Sequence, residues 1–272
     1  MNARDHLILA LDVPTGAEAI KMVDRLSGVV GMFKVGSQLF TAAGHAFVRE
    51  LVAREQKVFL DLKYHDIPNT VASAVAVAAQ LGVTLVDVHA LGGRTMIEGA
   101  ASALNASATK LLAITVLTSH DDAWLGQVGM SRGLPDAVRR LALLARDSGA
   151  DGVVASPHEI QLVRETCGPD FLIVTPGIRP EGSAAGDQSR AGRKLGRQPH
   201  AAEGPGAGQV LAKQILGIVR SVEGVVRVGE HAQAFVGSAG PQGPSPLPDL
   251  CPGSRHQRVE EPRPVLGFLV RW

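Results

Sequence analysis

KVFLDLKYHDIPNT, residues 57–70, reads as an apolar strand that runs straight into Asp61, Lys63 and Asp66 and then into a helix start at Pro68. Side chains alternate between the two faces of a strand, so Asp61 and Lys63, two apart, are expected on one face. If that face points inward, the two meet at one end of a sheet. Asp66 falls beyond the strand, in the turn that opens the next helix. Lys34, near the end of the earlier apolar run MFKVG, is placed to bring a second ammonium to the same site. Lysines and aspartates interleaved in this way are costly to bury unless each is paired and hydrogen-bonded. The pattern therefore points either to catalysis or to a solvated salt-bridge cluster at a strand end.

Outward from this stretch, short apolar runs alternate with longer amphipathic ones. Strands are expected at 7–11, 32–36, 57–62, 84–90, 110–117, 151–156 and 171–176, and helices at 16–27, 44–55, 68–81, 95–107, 135–148 and 157–166. Pro68, Pro135 and Pro157 stand where a first helical turn tolerates proline, and Gly82 and Gly149 where helices stop. Repeated β-α units predict a parallel sheet, either an open doubly wound one or a closed barrel. The polar residues decide between them. Asp12, Lys34, Asp61 with Lys63, His89, Thr118, Ser156 and Arg179 fall at or just past successive strand ends. In a (β/α)8 TIM-type barrel those ends converge on one mouth, where such folds keep their sites.

With 272 residues, 45% hydrophobic, the chain is long enough for one large core, and a formal net charge of +1 with 4% aromatic residues gives no footprint for nucleic acid. Any nucleotide partner is expected to be a small molecule. Cys167 and Cys251 make neither a disulfide framework nor a zinc spacing. The opening MNARDHLILALDV carries Asp5 and Asp12 around a short apolar run, unlike a secretion signal, and no stretch reaches a membrane span of about 20 apolar residues. A cytoplasmic protein is expected.

Residues 191–272 differ from the rest. They hold nine of the sixteen prolines and carry a net charge of +4 against −3 for residues 1–190. Proline and glycine at this density, without a period, predict a poorly ordered tail rather than another β-α unit. Two regions are expected: a barrel body over 1–190 and an atypical C-terminal region over 191–272.

The motifs LILALDV (7–13), FKVGSQLF (33–40), KVFLDLKYHDIPNT (57–70), VDVHALGG (86–93), LLAITVLTS (111–119), DGVVASPHE (151–159) and VTPGIRPEGSAAGDQSR (174–190) together closely resemble the bacterial type of orotidine 5′-phosphate decarboxylase. The resemblance implies a cofactor-free, metal-free barrel enzyme that converts orotidine 5′-phosphate to UMP in pyrimidine biosynthesis. The family's catalytic Lys-Asp-Lys-Asp set falls on Lys34, Asp61, Lys63 and Asp66. Loss of CO2 leaves a C6 carbanion with no adjacent π-system, so fixed positive charge must stabilise it where it forms. Lys63 would supply that charge and the proton, Asp61 would hold Lys63, and Lys34 would orient Asp61. Asp66, with the Ile67 to Thr70 segment, would reach the neighbouring subunit's site, which implies a homodimer with shared active sites. Asp12 would accept hydrogen bonds from ribose hydroxyls, although by position alone it serves equally as a helix cap. Thr118 would contact the pyrimidine edge or act structurally. Arg179 and Gln188 would hold the phosphate in a glycine-containing lid. His65 and His89 are given no catalytic role, Cys167 is read as a buried filler, and Gly92 and Gly93 as the cap of the fourth strand.

The resemblance stops near residue 190. The family's eighth strand ends in a Val-Gly-Arg-Pro-like motif that binds phosphate; VVRVGEHA (225–232) has Glu230 where that arginine belongs. Two readings of the break stay open: a change of reading frame at about residue 191, or a substitute closing element at 209–228. Without a closing strand, the first and seventh strands would be exposed edges. Two other functions stay open: a related phosphosugar decarboxylase or lyase that uses a divalent metal, and a catalytically impaired remnant that binds UMP-like ligands.

Overall fold

The computed structural model describes residues 3–130, 132–178 and 267–271. A short 3-10 turn, Ala3–His6, leads into β1 (Leu7–Ala10), followed by α1 (Gly16–Leu26), β2 (Met32–Gly36), α2 (Ser37–Ala53), β3 (Val58–Tyr64), α3 (Pro68–Gln80) and β4 (Leu85–His89). The chain continues through α4 (Gly93–Ala103), β5 (Lys110–Ile114), α5 (Asp122–Gln127), α6 (Leu134–Asp147), β6 (Gly152–Val154), α7 (Ile160–Cys167), β7 (Leu172–Ile178) and β8 (Gly267–Arg271). The strands form a closed barrel in chain order. β1 to β7 are parallel neighbours, and the expected barrel is the one found.

Period two explains the packing. Leu7 and Leu9, Phe33 and Val35, Val58 and Leu60, Val86 and Val88 belong to the large buried cluster shared with the helices. The alternate residues Ile8, Ala10, Met32, Phe59, Leu85, Leu112, Leu172 and Val174 form a second buried cluster, which fills the barrel. The helices turn apolar stripes to the outer faces of the strands. In α1 the buried positions are Ala19, Val23 and Leu26, and the Thr15 side chain caps the first turn by accepting from Glu18 N at 3.2 Å.

Two helical features differ from the sequence expectation. α2 begins at Ser37 rather than 44, because Gly44, at φ 68° and ψ −171°, breaks the segment into two helical pieces and only the second resembles the expected helix. α5 was not expected; Asp121 caps it by accepting from Trp124 N at 3.0 Å.

The closing strand is the larger surprise. β8 lies between β1 and β7 and runs antiparallel to both, with Leu7 opposite Val270, Ala10 opposite Gly267 and Thr175 opposite Val270. The expected exposed edges on β1 and β7 are thus paired. The strand comes from 267–271, beyond the expected substitute at 209–228, which lies outside the described residues, as do Glu230 and Cys251.

Candidate active site

The face of β2, β3 and β4 that carries Met32, Phe59 and Leu85 into the barrel carries, two residues further on, Lys34, Asp61 and Asp87. The charged layer therefore sits on the apolar filling, at the C-terminal ends of the parallel strands. Lys34, Asp61 and Asp87 are all buried.

The charges alternate along a chain of contacts. Asp12, just past β1, presents Oδ1 to Lys34 Nζ at 3.2 Å; Lys34 Nζ lies 3.2 Å from Asp61 Oδ2; and Asp61 Oδ1 accepts from Lys63 Nζ. The exposed ends are Asp12 and Lys63, whose side chains are 51% and 38% exposed, against 11% for Lys34 and 10% for Asp61. Burial raises the Asp61 carboxyl, but Lys34 and Lys63 outweigh it and hold it at about 2. Burial lowers the Lys34 ammonium, and Asp61 and Asp12 more than reverse this, leaving it above its usual value. Lys34 and Asp61 are thus both charged at neutral pH. Gly36 makes room for this arrangement: a Cβ there would stand 3.0 Å from Lys34 Nζ.

Lys63 meets Asp61 as expected, but not by simple strand alternation. Its backbone is left-handed, at φ 52°, and the β3–β4 register shifts between Leu60 and Tyr64. For a residue with a Cβ this conformation costs about 1–2 kcal/mol. One hydrogen bond pins it: Lys63 N donates to Asp87 Oδ1 at 2.8 Å. Asp87 was missed in the sequence. The signal was there in TLVDVHA, where Leu85, Asp87 and His89 share one face, yet only His89 was singled out.

Asp66, Ile67 and Thr70 are exposed, and Ile67 N donates to Asp66 Oδ1 at 2.6 Å. Ile67 is 67% exposed, unusual for an isoleucine at a helix entrance. Thr118 is buried just past β5. Arg179 and Gln188 lie outside the described residues, with Gly182 and Gly186 of the same loop. His89 accepts from Leu91 N through Nδ1 at 3.3 Å and stacks on His65 with ring centroids 5.4 Å apart. Burial, then the nearby His65, Lys63 and His120, lower His89 to about 4, so it is neutral at pH 7. Cys167 is only partly buried.

A buried carboxylate between two ammonium groups, one of them half-exposed at the open end of a barrel, can hold positive charge against a substrate atom and deliver a proton to it. Comparison with known proteins identifies the family. The model of the orotidine 5′-phosphate decarboxylase / HUMPS family matches residues 5–200. The chain is similar to the orotidine 5′-phosphate decarboxylase of Moorella thermoacetica, 54% identical over 198 residues, covering 70% of this chain and 79% of that one. It is likewise similar to that of Geobacter sulfurreducens, 53% identical over 193 residues, covering 69% and 81%. Among solved structures, orotidine 5′-phosphate decarboxylase from Lactobacillus acidophilus superposes with a TM-score of 0.60 at 43% identity, over 63% of this chain and 80% of that one. On its sequence, its barrel and its matched residues, the chain belongs to the orotidine 5′-phosphate decarboxylase / HUMPS family.

Proposed function

We propose that this chain decarboxylates orotidine 5′-phosphate to UMP, in pyrimidine biosynthesis, with Lys63 as the group that stabilises the C6 carbanion and protonates it. The observation that carries this is the alternating chain Asp12, Lys34, Asp61, Lys63, which ends in a half-exposed ammonium at the barrel mouth. As the C6–CO2 bond breaks, its electron pair stays on C6 and the Lys63 ammonium offsets the charge; the proton then passes from Nζ to C6, and CO2 leaves. A preorganised cation costs no reorganisation at that moment. Asp61 keeps the ammonium aimed, and Lys34 keeps Asp61 ionised. In this reading Asp12 accepts from ribose hydroxyls and Thr118 borders the base. Arg179 and Gln188 are proposed phosphate ligands.

We also propose a cytoplasmic homodimer. Asp66, Ile67 and Thr70, exposed in one protomer, would complete the partner's site, and the outward-facing Ile67 supports this. Residues 1–190 would be the catalytic body and 191–272 an appended region that supplies the closing strand.

One observation favours a second reading, in which the chain binds UMP-like ligands without turnover. Because β8 is antiparallel, its C-terminal end pairs with Val174, toward the far end of the barrel, and not with the strand ends at the mouth. Among the described residues, no parallel eighth strand ends at the mouth. Losing one arginine contact to phosphate costs about 2–3 kcal/mol, or roughly 30-fold to 150-fold in affinity.

Proton NMR in D2O distinguishes the two. Turnover yields UMP deuterated at C6 and none with Lys63→Ala; calorimetric binding of UMP with no deuterated product would support the second reading.

A further inference from the structure

Asp87 is the most deeply buried charged-type residue of the site, at 0% exposure, and it lies against the strand that carries Asp61 and Lys63. Its Oδ1 accepts from Lys63 N at 2.8 Å. Its Oδ2 is buried and meets no N–H or O–H group of the described residues. Leu60 pairs with Val86, so Asp61 and Asp87, the next residues on β3 and β4, are neighbours across the two strands, and the Asp61 carboxyl acts directly on Asp87. Two carboxyl oxygens attract only if a proton lies between them, and two carboxylates in contact in a dry site repel strongly. Asp61 is the one that ionises, because both ammonium groups, Lys34 and Lys63, lie against it.

We propose, on the basis of the decarboxylase reading above, that Asp87 acts as a neutral, protonated positioning residue, which donates from Oδ2 to Asp61 and holds the Lys63 backbone in its left-handed turn through Oδ1. One side chain thereby fixes both partners of the catalytic Asp–Lys pair. It gives the Lys63 turn the hydrogen bond that offsets its backbone cost, and it aims the Asp61 carboxylate without competing for the lysine ammonium.

The chemistry around Asp87 supports the assignment. Burial, then Asp61, push its carboxyl well above the usual carboxylate range, and the opposing effect of Lys63 does not reverse this. Among the described residues, the titratable groups acting on it are Asp61, Lys63 and Tyr64, all from β3. The Tyr64 phenol is itself pushed up, first by burial and then by Asp87, so it adds no negative charge at neutral pH.

Asparagine tests the assignment because it reproduces both contacts without an ionisable proton: its Oδ1 accepts from Lys63 N, and its Nδ2–H donates to Asp61. In the full-length chain, Asp87→Asn should keep kcat within about threefold of wild type, and Asp87→Ala should lower kcat by about 10-fold to 100-fold with little change in KM, as expected for support of a catalytic group rather than substrate contact. The alkaline fall in kcat that accompanies Asp87 ionisation should be missing in Asp87→Asn. An infrared difference spectrum, wild type minus Asp87→Asn at neutral pH, should show the carbonyl band of a protonated carboxylic acid. Equal losses in the Asn and Ala variants, or no acid band, would overturn the proposal. If wild type itself turns over no substrate, the decarboxylase reading fails, while the infrared band still decides whether Asp87 holds the proton. If Asp87→Ala does not fold, the Asn variant and the band decide.

Discussion

Replacing Lys34 with Met removes the ammonium between Asp12 and Asp61, 3.2 Å from each, and keeps most of the side-chain volume. Asp61 is held at about 2 against 3.8 for a free carboxyl, and at about 1.4 kcal/mol per pKa unit its ion pairing contributes about 2 kcal/mol at neutral pH. Breaking a buried pair costs more than the pair's net contribution, typically about 3–5 kcal/mol, because the remaining charge stays desolvated. Lys63 still faces Asp61, and Asp12 is largely solvated, so Lys34→Met should lose about 3 kcal/mol, the low end of that range. The loss should depend on pH with a definite sign. The Asp61 carboxyl is depressed in the folded state, so its contribution is present above pH 3.8 and is lost as pH falls toward 2. In Lys34→Met, Asp61 protonates at a higher pH, which relieves the unpaired charge earlier. Urea unfolding of both proteins between neutral pH and pH 3 should show a stability gap that narrows with acid. A gap below about 1 kcal/mol at neutral pH, or one that stays constant with pH, would refute the placement of Asp61 as a carboxylate held by two ammonium groups.

Lys63→Gly and Lys63→Ala should both abolish turnover, but the glycine variant should be about 1 kcal/mol more stable in urea unfolding, since only glycine relieves φ 52°. Gly36→Ala places a methyl 3.0 Å from Lys34 Nζ; it should leave the melting temperature nearly unchanged yet lower kcat by about 10-fold, as the ammonium shifts by a few tenths of an ångström. His89 should titrate near 4 in an NMR pH series, with no inflection at 6.5, and its replacement by Gln should leave the kcat profile between pH 6 and 8 unchanged.

The charged layer was legible because strand periodicity is a local property. MFKVG and KVFLDL place Lys34 and Asp61 on the inward face whatever surrounds them, and the burial of both follows from that register. Lys63 was found for a partly different reason than expected: its turn depends on a hydrogen bond from a neighbouring strand, which no local pattern encodes. Asp87 was hidden by the same kind of dependence, since an aspartate inside an apolar strand gains meaning only beside Asp61. The kink at Gly44 was readable only as a helix boundary. The closing strand was least legible. GFLVR is a plausible strand anywhere, but its pairing with Leu7–Ala10 joins residues about as far apart as the chain allows, and its antiparallel direction breaks the β-α rhythm that made the other seven readable.

The conversion itself is the most direct test. Purified full-length chain, incubated with orotidine 5′-phosphate and followed by ultraviolet absorbance beside its Lys63→Ala variant, should consume the substrate and release UMP, with the variant inactive. A folded chain that leaves orotidine 5′-phosphate unchanged, or a Lys63→Ala variant that turns it over as fast as wild type, would contradict the central claim.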